Sequence, residues 1–381
     1  MSSFNLWRTA FTAAPRTARH HVQTRKSIHT WSSISELEAA LREDLTSRPP
    51  NIIYDDMSKI PSHLLNLSLS SFLPKSCQPA SSPSGEECLT ELPYLRNRIT
   101  LPLGHHLVHF PPQILNDQLL PDGTDNLQSP GVPFVRRMWA GGSVTYNNTE
   151  FSKWTFDERP QTLSCVERVT DVRVKGVSGE EKVFVEIQRD VAPAGREHTS
   201  NKRPDLVGRV SSQPFISEIR NLVFMRAKSA EEARLDTSRI GRIVKAPHEP
   251  DFSVSMTPDR TLLFRFSALT FNAHAIHLDR EYARGVEGHR NLLVHGPLTL
   301  VLMLSVVRSQ LREKSSAHSD SSSHQIKVKK FEYKNLAPLY VEEEMKICFR
   351  RSRRQNEASV WIENRDGGIA VKGTVEFEDV L

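Results

Sequence analysis

The first 35 residues contain no acidic side chain: Glu36 is the first carboxylate, whereas Arg8, Arg16, Arg19, Arg25 and Lys26 all precede it. The same stretch lacks the continuous apolar core of a secretory signal, offering only scattered Phe4, Leu6, Trp7 and Phe11 among hydroxylated residues. Spaced cations without acids are the composition of an amphipathic mitochondrial transit peptide, so residues 1–30 are expected to direct the chain to the mitochondrial matrix. Beyond them no surplus of either charge remains. Subtracting those five cations from 50 Lys and Arg leaves 45, against 45 Asp and Glu. The body therefore has no electrostatic footprint for nucleic acid or for an anionic membrane surface.

Cysteine is scarce as well. Cys77, Cys88, Cys165 and Cys348 form no C-x-x-C pair, and no Cys/His set has the separations of a zinc site, so no metal is expected. A reducing compartment suits such a chain, with the thiols inert. His105, His106 and His109 sit in a mixed apolar stretch without a neighbouring carboxylate or thiol, and read as ordinary strand or loop histidines. Long apolar runs are missing too. Leu298 to Val307 is interrupted by Ser305 and followed by "RSQLREK", short of the roughly 20 residues that span a bilayer, so membrane insertion is not expected.

What is present is enough for two domains: 381 residues with 38% hydrophobic content. A helix is expected over Ser32 to Leu45, with Ser35 as its cap and Glu38 three residues on. "PKSCQPASSPSGEE" (Pro74 to Glu87) and "LLPDGTDNLQSPGVP" (Leu119 to Pro133) read as loops. Thr162 to Val191 alternates apolar and polar residues around Gly176 to Gly179, the pattern of an antiparallel hairpin. The polar break Ala192 to Asp205 is the expected linker between an amino-terminal domain (31–191) and a carboxyl-terminal one (206–381). "RTLLFRFSAL" (Arg260 to Leu269) reads as a strand. "GPLTLVLMLSVVRSQL" (Gly296 to Leu311) reads as a helix apolar on nearly every side, which must be buried. After a Ser-rich insertion at Ser315 to Ser323 come four strand-like runs, "IKVKKFEYK", "EMKICFRR", "ASVWIEN" and "GIAVKGTVEFE", the last two joined across "RDGG". The class is α+β, a buried helix wrapped by an antiparallel sheet, with the choice among such folds left open by local pattern.

Two stretches concentrate chemistry: "FNAHAIHLD" (Phe271 to Asp279) and "LLVHGPL" (Leu292 to Leu298). Read from their own residues, His274 and His277 are three apart and share one side of a helical turn as packing or capping groups. Asp279 is a cap for "REYAR", with Glu281 in its first turn. Gly141 and Gly142, in "VRRMWAGGSVTY" (Val135 to Tyr146), mark a bulge or tight bend.

Together and in this order, these stretches resemble the MaoC-like hydratase and dehydratase family. Within it they are most similar to the two-domain mitochondrial 3-hydroxyacyl-thioester dehydratases and mesaconyl-CoA hydratase relatives. The resemblance covers roughly residues 90 to 381 and is densest from Thr261 to Leu304. It implies a double hot-dog fold, each half an antiparallel sheet wrapped around a central helix, with the amino-terminal domain degenerate and the carboxyl-terminal one catalytic. The family motif D-x-N-P-x-H places its His on His277, its Asp on Asn272 and its Asn on His274. Asn cannot accept a proton where Asp can.

By this resemblance His277 is the general base of hydration and, in dehydration, protonates the departing hydroxyl, a role suited to a pKa near neutrality. Asn272 holds the water. Gly296, at the start of a helix followed by Pro297, offers its N–H to the thioester carbonyl. His274, His295, Gly141 and Gly142 are expected around the substrate, His295 as a buttress. The basic run "FRRSRR" (Phe349 to Arg354) is a candidate contact for CoA or phosphopantetheine phosphates. The amino-terminal half, with no counterpart of "NAHAIH", is expected to shape the acyl tunnel of a single active site.

The activity so implied is dehydration of (R)-3-hydroxyacyl thioesters to trans-2-enoyl thioesters in mitochondrial fatty-acid synthesis. The substrate arrives on acyl carrier protein or CoA, no cofactor takes part, and a homodimer is left open. Two alternatives stand beside it: a hydratase for a short dicarboxylic acyl-CoA such as mesaconyl-CoA, and a non-catalytic acyl-thioester binding module, suggested by Asn272. A hot-dog thioesterase would need a carboxylate against the helix, and "VHGPLTLVLML" has none.

Overall fold

The computed structural model describes residues 31–78, 99–147, 155–156, 162–195, 203–238, 243–316, 325–353 and 356–380. The arginine-rich segment 1–30, Cys88 and most of the Ser-rich insertion lie outside them. The strands are β1 (Asn51–Asp55), β2 (Ile99–Thr100), β3 (Arg136–Tyr146), β4 (Thr155–Phe156), β5 (Leu163–Lys175), β6 (Lys182–Pro193), β7 (Ile216–Met225), β8 (Phe252–Met256), β9 (Gln325–Asn335), β10 (Met345–Arg351), β11 (Glu357–Glu363) and β12 (Ile369–Val380). The helices are α1 (Ile34–Thr46), α2 (Lys59–Leu69), α3 (Arg203–Ser212), α4 (Ala230–Thr237), α5 (Arg260–Thr270), α6 (Arg280–Gly285) and α7 (Gly296–Ser316).

One 10-stranded sheet runs β1-β5-β6-β7-β3-β9-β12-β11-β10-β8, with β2 and β4 paired separately. Counted outward from the β3/β9 seam, the two arms have the same order. Outward from the seam strand, β3 or β9, come β7, β6 and β5 in one arm and β12, β11 and β10 in the other, and each arm ends on the short strand that comes first in its half, β1 or β8. The chain thus folds as two copies of one antiparallel topology, joined edge to edge, as a double hot-dog requires.

This topology moves the domain boundary. The expected linker at 192–205 lies within the amino-terminal half, because β7 follows it and returns to pair with β6 along its length, Ile216 opposite Val191 and Met225 opposite Lys182. The connection between halves is the stretch from 226 to 251, which contains α4. A polar, turn-rich sequence marked an excursion there through α3, not a boundary.

In the carboxyl-terminal half α7 is the central helix. Leu298, Leu300, Val301, Leu302, Met303, Leu304, Val306 and Val307 have no solvent exposure, and the helix packs on β9, β10 and β11. Each such side chain contributes about 1.5–3 kcal/mol of burial free energy. The amino-terminal half has no counterpart to α7 among the described residues. Between α2 and β3 the chain carries Pro102, Pro111, Pro112, Pro121, Pro130 and Pro133, which deny a helix its backbone donors. Among the described residues it forms instead short 3₁₀ turns, Lys75–Cys77, His105–Val108 and Asn116–Gln118.

Arg260 to Leu269 is a helix, not the expected strand. Asp259 accepts the Leu262 N–H and starts it, and Leu262, Leu263, Phe266 and Ser267 bury a helical stripe that short alternation had concealed. The first helix is capped by Ser33, not Ser35. Cys77, Cys165 and Cys348 are buried and outside any disulfide. Burial pushes the Cys165 thiol up to about 11 and that of Cys348 up to about 12, which leaves both unreactive.

Candidate active site

The turn that follows α5 is built by its own polar side chains. Helix α5 ends at Phe271 in a left-handed conformation, φ 52°. Asn272 Oδ1 then accepts the His274 N–H at 3.0 Å, an Asx turn that aims the chain into the 3₁₀ turn Ala275–His277. Asp279 accepts the N–H groups of Glu281 and Tyr282 and starts α6, as its sequence position suggested.

His277 lies against the backbone of the next segment. Its Nδ1 is 2.8 Å from the carbonyl oxygen of Leu293. A carbonyl only accepts, so Nδ1 carries the proton and Nε2 is left with its lone pair. Burial pushes the imidazole pKa down to about 4, the Leu293 bond opposes that fall and Arg137 adds to it. This corrects the expectation of a pKa near neutrality. His277 is a neutral, singly protonated base throughout the physiological range.

Gly296 is the first residue of α7. The leading N–H groups of a helix have no intrahelical acceptor and lie at its positive dipole end. A side chain here would collide: a Cβ would sit 2.8 Å from Trp139 Cβ and 3.0 Å from Asn335 Nδ2. Asn335 in turn donates to the Trp139 carbonyl, and Trp139 Nε1 to the Tyr333 hydroxyl. Strand β3 is thereby pressed against the start of the helix, which only glycine permits.

A cavity of about 480 Å³ brings these groups together, lined by Asn272, His274 and His277 from the turn and by Gly296, Pro297 and Thr299 from the helix start. Leu293, Val294 and the segment Asn335 to Leu339 add to the wall from the carboxyl-terminal half, and the amino-terminal half contributes Arg137, Met138, Trp139 and Ala140 of β3 with Phe184, Ile187 and Leu222 of β6 and β7. Glu167, Arg189 and Arg220 also line it. These belong to a buried ion network in which Arg189 meets Glu167 at 3.0 Å and Arg220 meets Glu218 at 2.9 Å. Burial pushes the Glu218 carboxyl up, but Arg220, His106 and Arg189 together hold it well below its ordinary value.

Several expected site residues are placed elsewhere. His295 does not line the cavity: it is fully buried, with Nε2 2.8 Å from the Ser267 hydroxyl and its ring under that of His277. It packs beneath His277, behind the cavity wall. Gly141 and Gly142 lie in the seam, where β3 is paired on both sides, and their absent side chains make room for Tyr333 O and Ile219 O. The cavity uses other residues of the same motif, Arg137 to Ala140. The "FRRSRR" run lies at the end of β10, next to the last strand of the carboxyl-terminal arm. Arg350 donates to the Glu249 carbonyl, the Arg351 N–H to Asp251, and neither lines the cavity. His105, His106 and His109 are buried turn residues, and among the described residues no cluster of three or more His, Cys, Asp or Glu side chains could hold a metal ion.

Arg137, Trp139 and the cavity-facing acids were absent from the sequence reading, since nothing in "VRRMWAGG" says which of its residues alternate inward past a bulge. That bulge falls between Trp139 and Gly141.

The chain is similar to several known proteins. The mitochondrial hydroxyacyl-thioester dehydratase type 2 of Schizosaccharomyces pombe is 26% identical over 327 residues, which cover 82% of this chain and 92% of that protein. The mesaconyl-C(4)-CoA hydratase of Chloroflexus aurantiacus is 40% identical over 125 residues, 32% of this chain and 39% of that protein. Among solved structures, a MaoC-like dehydratase from Phytophthora capsici superposes with a TM-score of 0.56 at 13% identity, over 89% of this chain and 99% of that one, a likeness of fold. The family model described as hydroxyacyl-thioester dehydratase type 2 matches residues 104–341, well over half of the sequence and including the turn after α5 and the start of α7, and the chain belongs to that family.

Proposed function

We propose that the protein dehydrates (R)-3-hydroxyacyl thioesters to trans-2-enoyl thioesters, and catalyses the reverse hydration, in mitochondrial fatty-acid synthesis. The observation that carries this reading is the convergence of an unprotonated His277 Nε2 and the Gly296 amide on one cavity. In hydration, a water oxygen attacks Cβ of the enoyl group while His277 Nε2 takes a proton from that water. The displaced electron pair moves onto the thioester carbonyl, where the Gly296 N–H and the dipole of α7 stabilise the enolate. His277 then returns the proton to Cα. Dehydration is the same path reversed, with His277 removing the Cα proton and delivering it to the leaving hydroxyl. No cofactor enters these steps. Asn272 supports the water, and the cavity wall formed by β6 and β7 receives the acyl chain.

The carrier is acyl carrier protein or CoA, in the mitochondrial matrix, a destination supported by residues 1–30 and by the mitochondrial relatives. A second reading, hydration of a short dicarboxylic acyl-CoA, is favoured by the arginines in the cavity wall. All three, Arg137, Arg189 and Arg220, are paired with carboxylates, so a substrate carboxylate would have to displace one, and the fatty-acyl reading is preferred. Purified protein should lose or gain the absorbance of the conjugated enoyl group with crotonyl-CoA or a 3-hydroxyacyl carrier-protein thioester. No change with either, alongside turnover of mesaconyl-CoA, would select the second reading.

A further inference from the structure

The motif position that relatives fill with Asp is Asn272, yet a carboxylate reaches the catalytic turn by another route. Asp122, in the loop before β3, is buried, and its Oδ2 lies 3.5 Å from His274 Nε2, itself buried. The two atoms face each other outside hydrogen-bond geometry, and among the described residues neither has a hydrogen-bond partner. The loop is fixed in place on both sides of the carboxylate. The Ala275 N–H donates to the Asp122 carbonyl at 2.8 Å, and at Gly123, φ +82°, a Cβ would stand 2.1 Å from the Ala273 carbonyl oxygen. The other carboxylate oxygen, Oδ1, accepts both the N–H and the hydroxyl of Thr124. Oδ2 is thus the atom free to face the imidazole.

We infer that Asp122 is a positioning residue that works across the two halves, fixing His274 as the Nε2–H tautomer so that its Nδ1 presents a lone pair to the reacting water. The inference rests on the hydratase reading of the cavity. His274 lines that cavity, and its ring meets that of His277 edge-on with centroids 5.6 Å apart. Two imidazoles would then each commit one N–H to a protein acceptor, Leu293 O or Asp122, and each leave one acceptor nitrogen. A water held between them donates one proton to each, which directs its oxygen lone pair at the substrate. The family Asp is in this way replaced by a residue from the amino-terminal half, and the role of that half extends beyond shaping the tunnel.

The Thr124 bonds make the test specific. In Asp122→Asn the amide oxygen stays on the two Thr124 donors, so the NH₂ group must turn to His274 Nε2, which then accepts, and the ring proton moves to Nδ1. Side-chain ¹⁵N chemical shifts of labelled histidine should report Nε2–H at His274 in the wild type and Nδ1–H in the variant. The turnover number for crotonyl-CoA should fall by about 10²-fold with KM changed less than about threefold. In a His274→Gln background, adding Asp122→Asn should change nothing further. An Nδ1–H tautomer in the wild type, or losses that multiply in the double variant, would overturn the inference. The wild-type spectrum needs no variant to fold, and it decides the pairing even if the protein proves not to hydrate enoyl thioesters, an outcome that would sink the hydratase reading alone.

Discussion

His277 and His295 stack ring on ring, with centroids 3.7 Å apart and planes 20° from parallel. One ring belongs to the turn after α5 and the other to the residue before α7, so the contact ties the His277 turn to the segment that begins at Gly296, the two groups proposed to move the proton and to hold the thioester carbonyl. His295 is held in turn by Ser267 of α5. The stack explains why a fully buried histidine with no route to substrate stands immediately before Gly296.

Removing the base should separate catalysis from folding. His277→Ala is expected to lower the turnover number by about 10²–10⁴-fold, the usual contribution of a positioned general base. Helical circular dichroism should be retained, because α5 and α7 keep their own cores. Wild-type turnover by the variant would mean that His277 only packs.

The buried histidines predict acid sensitivity. Burial holds His277 and His289 at about 4 and puts His274 and His295 well below their ordinary value. The unfolded chain binds these protons near pH 6.5 while the folded chain does not, so the stability contribution is present above about 6.5 and is lost as pH falls toward about 4. Depressed carboxyls such as Glu181, held at about 2 chiefly by its bond to Arg226, are lost only below about 4.5. Urea midpoints should therefore fall steadily between pH 6.5 and 4.5, with a shallower slope in His277→Gln. A flat profile across that window would contradict the burial of these rings as neutral groups.

The seam glycines should fail differently from the surface ones. A Cβ at Gly142 would be 1.9 Å from the Ile219 carbonyl, and β3 is paired on both sides there. Gly142→Ala should cost at least about 3 kcal/mol, detected as a lost or much lower melting transition. Gly179→Ala, with φ +90° and nothing within 4 Å of the new atom, should cost only about 1–2 kcal/mol of backbone strain. Equal effects would show that the seam can yield.

Much of this was legible because the signals were local. The hairpin through Gly176 to Gly179, the four final strands, the buried helix and the cap at Asp279 all follow from side-chain period and turn chemistry. What was not legible depends on pairing at a distance. Nothing within Ala192 to Asp205 says that β7 will return to β6, and nothing in "LLPDGTD" says that Asp122 will reach His274. Arg260 to Leu269 was misread because its apolar residues satisfy a strand pattern over six positions and a helical one over eleven. The Asp259 cap decided between them.

Asn272 is where the sequence departs most from the family pattern, and its variants test whether the departure is catalytic. Its Oδ1 is committed to the His274 N–H, which leaves the amide NH₂ as the group able to hold the water oxygen. Asn272→Ala removes both bonds. Turnover should fall by the equivalent of about 1–3 kcal/mol, roughly 5- to 150-fold, with thioester affinity changed little. Asn272→Asp keeps an oxygen for the His274 N–H and adds a second proton acceptor five residues before His277. It should turn over at least as fast as the wild type. A binding module predicts the reverse: an inactive wild type whose acyl-thioester affinity neither substitution alters. Turnover of crotonyl-CoA and its equilibrium affinity, measured on the three proteins, separate these outcomes. If activity appears only in Asn272→Asp, the chain has kept the hydratase cavity and its oxyanion amide for binding, and residue 272 is the position at which catalysis was lost.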